Sequence, residues 1–159
     1  MAEARYWLMK SEPGVFSIQD LAKKRKSLWD GVRNYQARNF MTQQMSPGDV
    51  VLFYHSSCEP PGVAGLAKVS GHAVPDPSQF DKKSEYYEPK ATPSKPVWFC
   101  VEVEFVREFK KLLPLETIRK TPKLSDLPLL QKGQRLSIQP VSAKQFQLLL
   151  ELAGEKKTP

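Results

Sequence analysis

The sequence has few of the residues on which most enzyme chemistry depends. Among its 159 residues are two histidines, His55 and His72, and two cysteines, Cys58 and Cys100. These four stand at irregular spacing and lack the closely paired ligands of a structural zinc site. Cys58 follows His55 closely, but Glu59-Pro60-Pro61 comes next, with no glycine elbow or helix start to lower a thiol pKa. No phosphate-binding loop, dinucleotide fingerprint or HExxH motif occurs, so no cofactor and no metal are expected. No apolar run approaches the roughly 20 residues that a membrane helix needs. The start, MAEARYWLMK, has no apolar segment behind a basic end and no cleavage site. The expectation is a cytoplasmic protein with reduced thiols and no membrane contact. Internal repeats and low-complexity segments are also missing, and the length suits one domain with a real core.

Acidic residues are outnumbered, 17 Asp and Glu against 24 Lys and Arg, which leaves a net charge of +7. A positive field attracts phosphate backbones and speeds encounter with them. Part of the surplus lies in the run Lys23-Lys24-Arg25-Lys26 and in Lys156-Lys157. Either can equally be a solvated surface with no partner.

Local patterns outline the elements. Residues 6–10 are aromatic and large apolar, and end at the turn formers Pro13-Gly14, as a short strand does. Ser17 and Asp20 have capping-box spacing for a brief helix, and Asn34 is an N-cap candidate for a helix over 35–44 with Ala37, Phe40 and Met41 on one face. Residues 50–54 read as a buried strand, and 63–69 as a strand whose small residues Ala64, Gly65 and Ala67 permit close approach of a neighbour. Residues 72–96 read as a long loop that Phe80, Tyr86 and Tyr87 pack against the body. In 97–109, Val97, Phe99, Val101, Val103 and Phe105 alternate with Trp98, Cys100, Glu102 and Glu104, which predicts one strand with a core face and a solvent face. A short helix over 115–120, a strand near 136–139 and a last helix follow. The last helix opens with the box Ser142/Gln145 and the staple Val141/Phe146, and Gly154 ends it. Short strands with helices between them predict an α+β fold, a small mixed β-barrel with helices packed around it.

The chemistry that remains is recognition. WDGVRNYQARNF, residues 29–40, gathers rings, amides and guanidinium groups, while Lys10-Ser11-Glu12 and Tyr54-His55-Ser56 end two strands. Pockets for a planar heterocycle combine aromatic faces for stacking, donors and acceptors for the base edge, and cations for the phosphates. The plain alternative is that Trp29, Tyr35 and Tyr54 are core aromatics with satisfied polar tips.

YWLMKSEP (6–13), WDGVRNYQARNF (29–40), GDVVLFYHSS (48–57) and RLSIQPV (135–141) resemble the EVE domain family, with AVPDPSQFD (73–81) and the strand from Trp98 also fitting in order. The resemblance implies a PUA-like pseudo-barrel surrounded by short helices, over 1–154, with 155–159 a short basic tail. It further implies a reader of modified nucleobases in DNA or RNA without established catalysis. Carried onto this chain, the base pocket draws on Lys10, Ser11 and Glu12, on Trp29, Asn34, Tyr35 and Asn39, and on Tyr54, His55 and Ser56. Trp29 or Tyr54 is expected to stack on a flipped base, and Lys10, Arg33 and Arg38 to neutralise its phosphates. The sequence departs from the eukaryotic member, which carries a long basic extension before its first strand, so a nuclear site is expected only if the source is eukaryotic. A monomer that binds nucleic acid is the leading expectation. Two others stand beside it: an enzyme acting on nucleotides or nucleic acid with His55 as general base and Glu12 or Cys58 assisting, and a protein-interaction module that uses the proline-rich loop.

Overall fold

A computed structural model describes residues 4–133 and 136–155. Arg135 and the lysines of the expected tail, Lys156 and Lys157, lie outside the described residues. The chain runs β1 (Tyr6–Ser11), α1 (Ile18–Lys24), β2 (Lys26–Leu28), α2 (Tyr35–Gln43), β3 (Val50–His55), β4 (Gly62–Val69), β5 (Val74–Pro75), β6 (Phe99–Cys100), β7 (Glu102–Pro114), α3 (Leu115–Arg119), β8 (Ile138–Val141) and α4 (Ala143–Leu152). Six strands form a mixed sheet in the order β2-β7-β4-β3-β1-β8, and β5 pairs with β6 apart from it. β1 and β3 run parallel, from Tyr6 opposite Val50 to Ser11 opposite His55, and the other neighbours are antiparallel. Register shifts at Phe53/Tyr54, Val63/Gly65 and Leu66/Ala67 bend the central strands. Such irregularities curl a sheet toward a barrel. The expected α+β class, a curled mixed sheet with short helices around it, is the architecture observed.

The sheet is apolar on both faces because helices cover both. Along β1 and β3, Trp7, Met9, Val51 and Phe53 pack with α1 and α2 residues such as Ile18, Leu21, Ala37 and Met41. The alternate residues Leu8, Leu52 and Tyr54 join Ile118 of α3 and Phe146, Leu149 and Leu150 of α4. This explains why YWLM and VVLFY read as continuous apolar runs and not as alternating ones. Both capping boxes form, at Ser17/Asp20 and Ser142/Gln145, and Asn34 accepts from Ala37 N to start α2. Gly65 lets three elements meet: a Cβ there would run into the Arg107 carbonyl of β7 and come within 2.8 Å of Ile18 Cγ1. That approach seats the start of α1 directly on the sheet.

The expected strand over 97–109 needs correction. Its pattern breaks between Cys100 and Glu102, and Trp98 and Cys100, assigned to a solvent face, are 6% and 0% exposed. The reason is the neighbouring segment. Val74 pairs with Cys100 and Pro75 with Phe99, so residues 72–96 cover what would otherwise be the outer face. Two fully buried side chains fasten this segment. The Gln79 amide donates to Asp76 O and Trp98 O and accepts from Val97 N and Trp98 N, at 2.7–2.9 Å. Asp76 accepts from Gly31 N at 2.8 Å, from Arg33 Nη1 at 3.1 Å, and from Ser78 N and Oγ. Burial pushes its carboxyl up, but the hydrogen bonds from Ser78, Gly31 and Arg33 outweigh burial and hold it below the ordinary carboxylate value.

Two stability measurements check this account. Gly65→Ala is expected to destabilise by about 1–3 kcal/mol in urea unfolding, because a backbone carbonyl cannot yield to the new Cβ. Asp76→Ala is expected to cost about 3 kcal/mol by stranding the Arg33 guanidinium. A depressed native pKa stabilises above the unfolded value of about 3.9 and is lost as pH falls through the native one. Asp76→Ala should therefore flatten the acid limb of a stability–pH profile.

Candidate functional site

The carboxyl ends of the parallel strands β1 and β3 lie side by side, Lys10 opposite Tyr54 and Ser11 opposite His55. Ser56 N donates to Ser11 O at 2.9 Å, and Lys10 N donates to Ser137 O at 2.9 Å, which brings the approach to β8 alongside. Past β2 the chain turns over this edge, held by Trp29 N donating to Val101 O and by the Asp76 bond to Gly31. Gly31 has φ +80°, and a Cβ there would come within 2.9 Å of the Tyr86 ring, so the turn and the 72–96 segment touch at a glycine. Between these walls lies a cleft of about 550 Å³, within the size range of small-ligand sites.

Three rings, those of Phe16, Trp29 and Tyr86, contribute to the lining. Trp29 is 8% exposed and stands edge-on to Phe53, centroids 5.3 Å apart, which fixes its plane. Polar residues line the same space: the acids Glu12 and Asp30 and the serines Ser11, Ser27, Ser56 and Ser137. Ser11 Oγ donates to Phe16 O at 2.5 Å. The cations are Lys10 and Lys24, with Arg33 behind. Burial lowers the Lys10 ammonium's pKa; burial, and then the charge of Asp76, raise that of the Asp30 carboxyl. Of the basic run, Lys24 thus faces the cleft, Arg25 lies over the Phe105 ring at 5.0 Å, and Lys26 belongs to the edge strand β2.

Of the residues singled out from the sequence, Lys10, Ser11, Glu12, Trp29, Arg33 and Ser56 come together here. Others do not line it. Tyr54 alternates to the opposite face of β3, 3% exposed in the second core, where burial pushes its phenol up to about 12. His55 is 7% exposed, and its Nε2 accepts from Ile18 N at 3.1 Å. Burial lowers its pKa, so it is a neutral imidazole whose acceptor nitrogen serves the start of α1. Asn34 is spent as the α2 cap, and Asn39 accepts from Arg38 at 3.1–3.2 Å. Arg38 also donates to Val97 O and lies 4.7 Å from the centroid of the exposed Tyr35. Arg33 donates to Asp76, Val32 O, Ser78 Oγ and Tyr86 O, so its terminal nitrogens serve the wall and not a phosphate.

Sequence reasoning did not single out Asp30, Tyr86 or Ser137, which also line this cleft. Asp30 had a local signal, a carboxylate between a tryptophan and a turn glycine. Tyr86 and Ser137 had none, because their places depend on how distant segments fold back. A larger depression of about 750 Å³, beside Ala4–Trp7 and Pro140–Ala143, carries Arg5 as its charged side chain and none of this convergence. Among the described residues no group of three His, Cys, Asp or Glu is placed to hold a metal ion, so His55, Cys58, His72 and Cys100 form no site. Nor is any helix among them long and apolar enough to cross a membrane.

Comparison with known proteins bears on this arrangement. Human thymocyte nuclear protein 1 is 48% identical over 121 residues, 69% of this chain and 53% of its own, and the mouse protein is 47% identical over 124 residues. The chain spans about half the length of these curated relatives. A protein from Pseudomonas syringae of solved structure is 50% identical with a TM-score of 0.90, covering 93% of this chain and 99% of that one. Human THYN1, solved in complex with 5-methylcytosine-containing DNA, is 42% identical with a TM-score of 0.84, covering 98% of this chain and all of that one. The EVE domain model matches residues 5–152, and the chain belongs to the EVE domain family.

Proposed function

We propose that the protein is a non-catalytic reader of nucleic acid that receives one modified base, swung out of its strand, in the cleft at the ends of β1 and β3. The observation that carries this reading is the meeting of rings, two carboxylates and two lysines in one cleft of suitable size. The rings suit a planar heterocycle, worth about 1–3 kcal/mol per stacked base. Glu12 and Asp30 are acceptors, and a base with an exocyclic amino group, as cytosine has, presents donors to them. Lys10 and Lys24 supply positive charge for the adjoining phosphates, so affinity falls as salt rises. Support also comes from the human relative solved with 5-methylcytosine-containing DNA, whose fold this chain shares almost end to end. Against an enzyme with His55 as base stands the imidazole itself, whose Nε2 is occupied by a backbone N–H.

Replacing Trp29 by Ala is expected to weaken binding of an oligonucleotide carrying 5-methylcytosine about tenfold or more. Unchanged affinity in the folded variant would remove Trp29 from the site. Asp30 gives a sharper separation of function from stability. Its raised pKa means that the folded state holds a proton more tightly than the unfolded chain, so stability declines as pH rises through that window. Asp30→Asn should therefore be as stable as the wild type or more so at neutral pH, while losing affinity for the modified oligonucleotide. Wild-type affinity should fall as pH drops through the raised Asp30 value, and the variant should lose that dependence. Calorimetric titration across pH reads both outcomes.

A further inference from the structure

Tyr35 stands outside the cleft, and its surroundings are those of a stacking platform. It is the first residue of α2, with 59% of its surface exposed. Behind it Trp98, only 6% exposed, lies nearly parallel to it, ring centroids 4.8 Å apart and planes 27° apart. Arg38, on the next turn of α2, brings its guanidinium within 4.7 Å of the Tyr35 centroid and is itself fixed by Val97 O and Asn39 Oδ1. The ring is thus held by Trp98 and Arg38, while more than half of the residue's surface stays exposed. A tyrosine serving the core alone would be covered, with its hydroxyl as the wet end.

The platform is continuous with the cleft. Arg33 lies 5.2 Å from the centroid of Tyr86, which lines the cleft, and 5.3 Å from that of Trp98, which supports Tyr35. Tyr86, Arg33, Trp98 and Tyr35 therefore form one ladder, a guanidinium between two rings and then ring on ring, each contact about 5 Å, from the cleft to the surface. Arg38, over the Tyr35 ring, adds positive charge at the outer end.

We propose that the outer face of Tyr35 takes a second, unpaired base of the same strand, close along the chain from the nucleotide in the cleft. The target is then nucleic acid that is single-stranded or opened beside the modified base. Every base has a π-face, so such a platform is tolerant of sequence. Inside a duplex both faces of a base are already covered by its neighbours, so only an unpaired or terminal base can stack on Tyr35. The inference rests on the base-reading cleft proposed above.

The test uses DNA oligonucleotides with one cytosine or 5-methylcytosine, either single-stranded, fully paired, or paired except for the nucleotides flanking that position. Binding is compared for the wild type, Tyr35→Ala and Tyr35→Trp. Tyr35→Ala is expected to bind the single-stranded and flank-opened forms about tenfold more weakly, and Tyr35→Trp to retain the affinity. An abasic site at one flanking position should cost the wild type a similar factor and Tyr35→Ala nothing. The preference for 5-methylcytosine should survive in Tyr35→Ala, which also reports an intact cleft. Equal affinity of Tyr35→Ala and wild type for every form, with that preference kept, overturns the platform and leaves the cleft reading standing. A Tyr35 effect with no methyl preference removes the cleft reading and, with it, the second-base proposal, leaving Tyr35 as a lone stacking site. Tighter binding of the fully paired form, or no binding of any form, overturns the platform.

Discussion

The Asp76 carboxylate is the interaction on which the site depends. It is fully buried, and its acceptor capacity is divided between the segment that carries it and the turn after β2. Through Gly31 it sets the path of Trp29, Asp30 and Gly31 across the ends of β1 and β3. Through Arg33 it orients a guanidinium that touches both Tyr86 and Trp98. A buried charge without partners would cost several kcal/mol, so the partners are obligatory and the geometry of the wall follows from them. Burial first, and the charge of Asp76 after it, make Asp30 an unusual carboxyl. The anchor that shapes the cleft raises the proton affinity of the acid lining it.

The fold places this machinery where a sheet covered on both faces has room for it. With α1 and α2 on one side and α3 and α4 on the other, the faces are filled, and the strand ends remain. A parallel pair puts two such ends together, and the start of α1 closes one side through His55. Ligand sites at the carboxyl ends of parallel strands recur for the same topological reason. His55 is thereby a strut: its lone pair completes the first turn of a helix that would otherwise leave a buried N–H unsatisfied.

Much of this was legible beforehand. Strands β1, β3 and β4 and helices α1, α2 and α4 follow from apolar runs, capping residues and turn formers, all of which act within a few positions along the chain. The strand over 97–109 was misread because alternation reports which residues differ in burial, and the cover over Trp98 and Cys100 comes from residues 72–96, which sequence periodicity does not see. The site was half legible for a related reason. Lys10, Ser11, Glu12, Trp29 and Ser56 end strands or open turns, so local pattern finds them. Tyr54 was misplaced because one step along a strand changes the face, and Asn34 because its side chain has a prior use as a cap. Asp30 was overlooked beside a more conspicuous tryptophan, though it lines the same cleft.

The central claim is one of location: that a base enters between Trp29, Asp30 and Glu12. Nuclear magnetic resonance of the labelled protein, titrated with a short oligonucleotide carrying 5-methylcytosine, tests it most directly. The account predicts that the largest shifts fall on the Trp29 indole and the amides of Ser11, Asp30, Gly31 and Ser56, and that they exceed those given by the unmodified oligonucleotide. Shifts that leave Trp29, Ser11, Asp30 and Ser56 unmoved and are identical for both oligonucleotides would contradict it, and would make the binding one of charge alone.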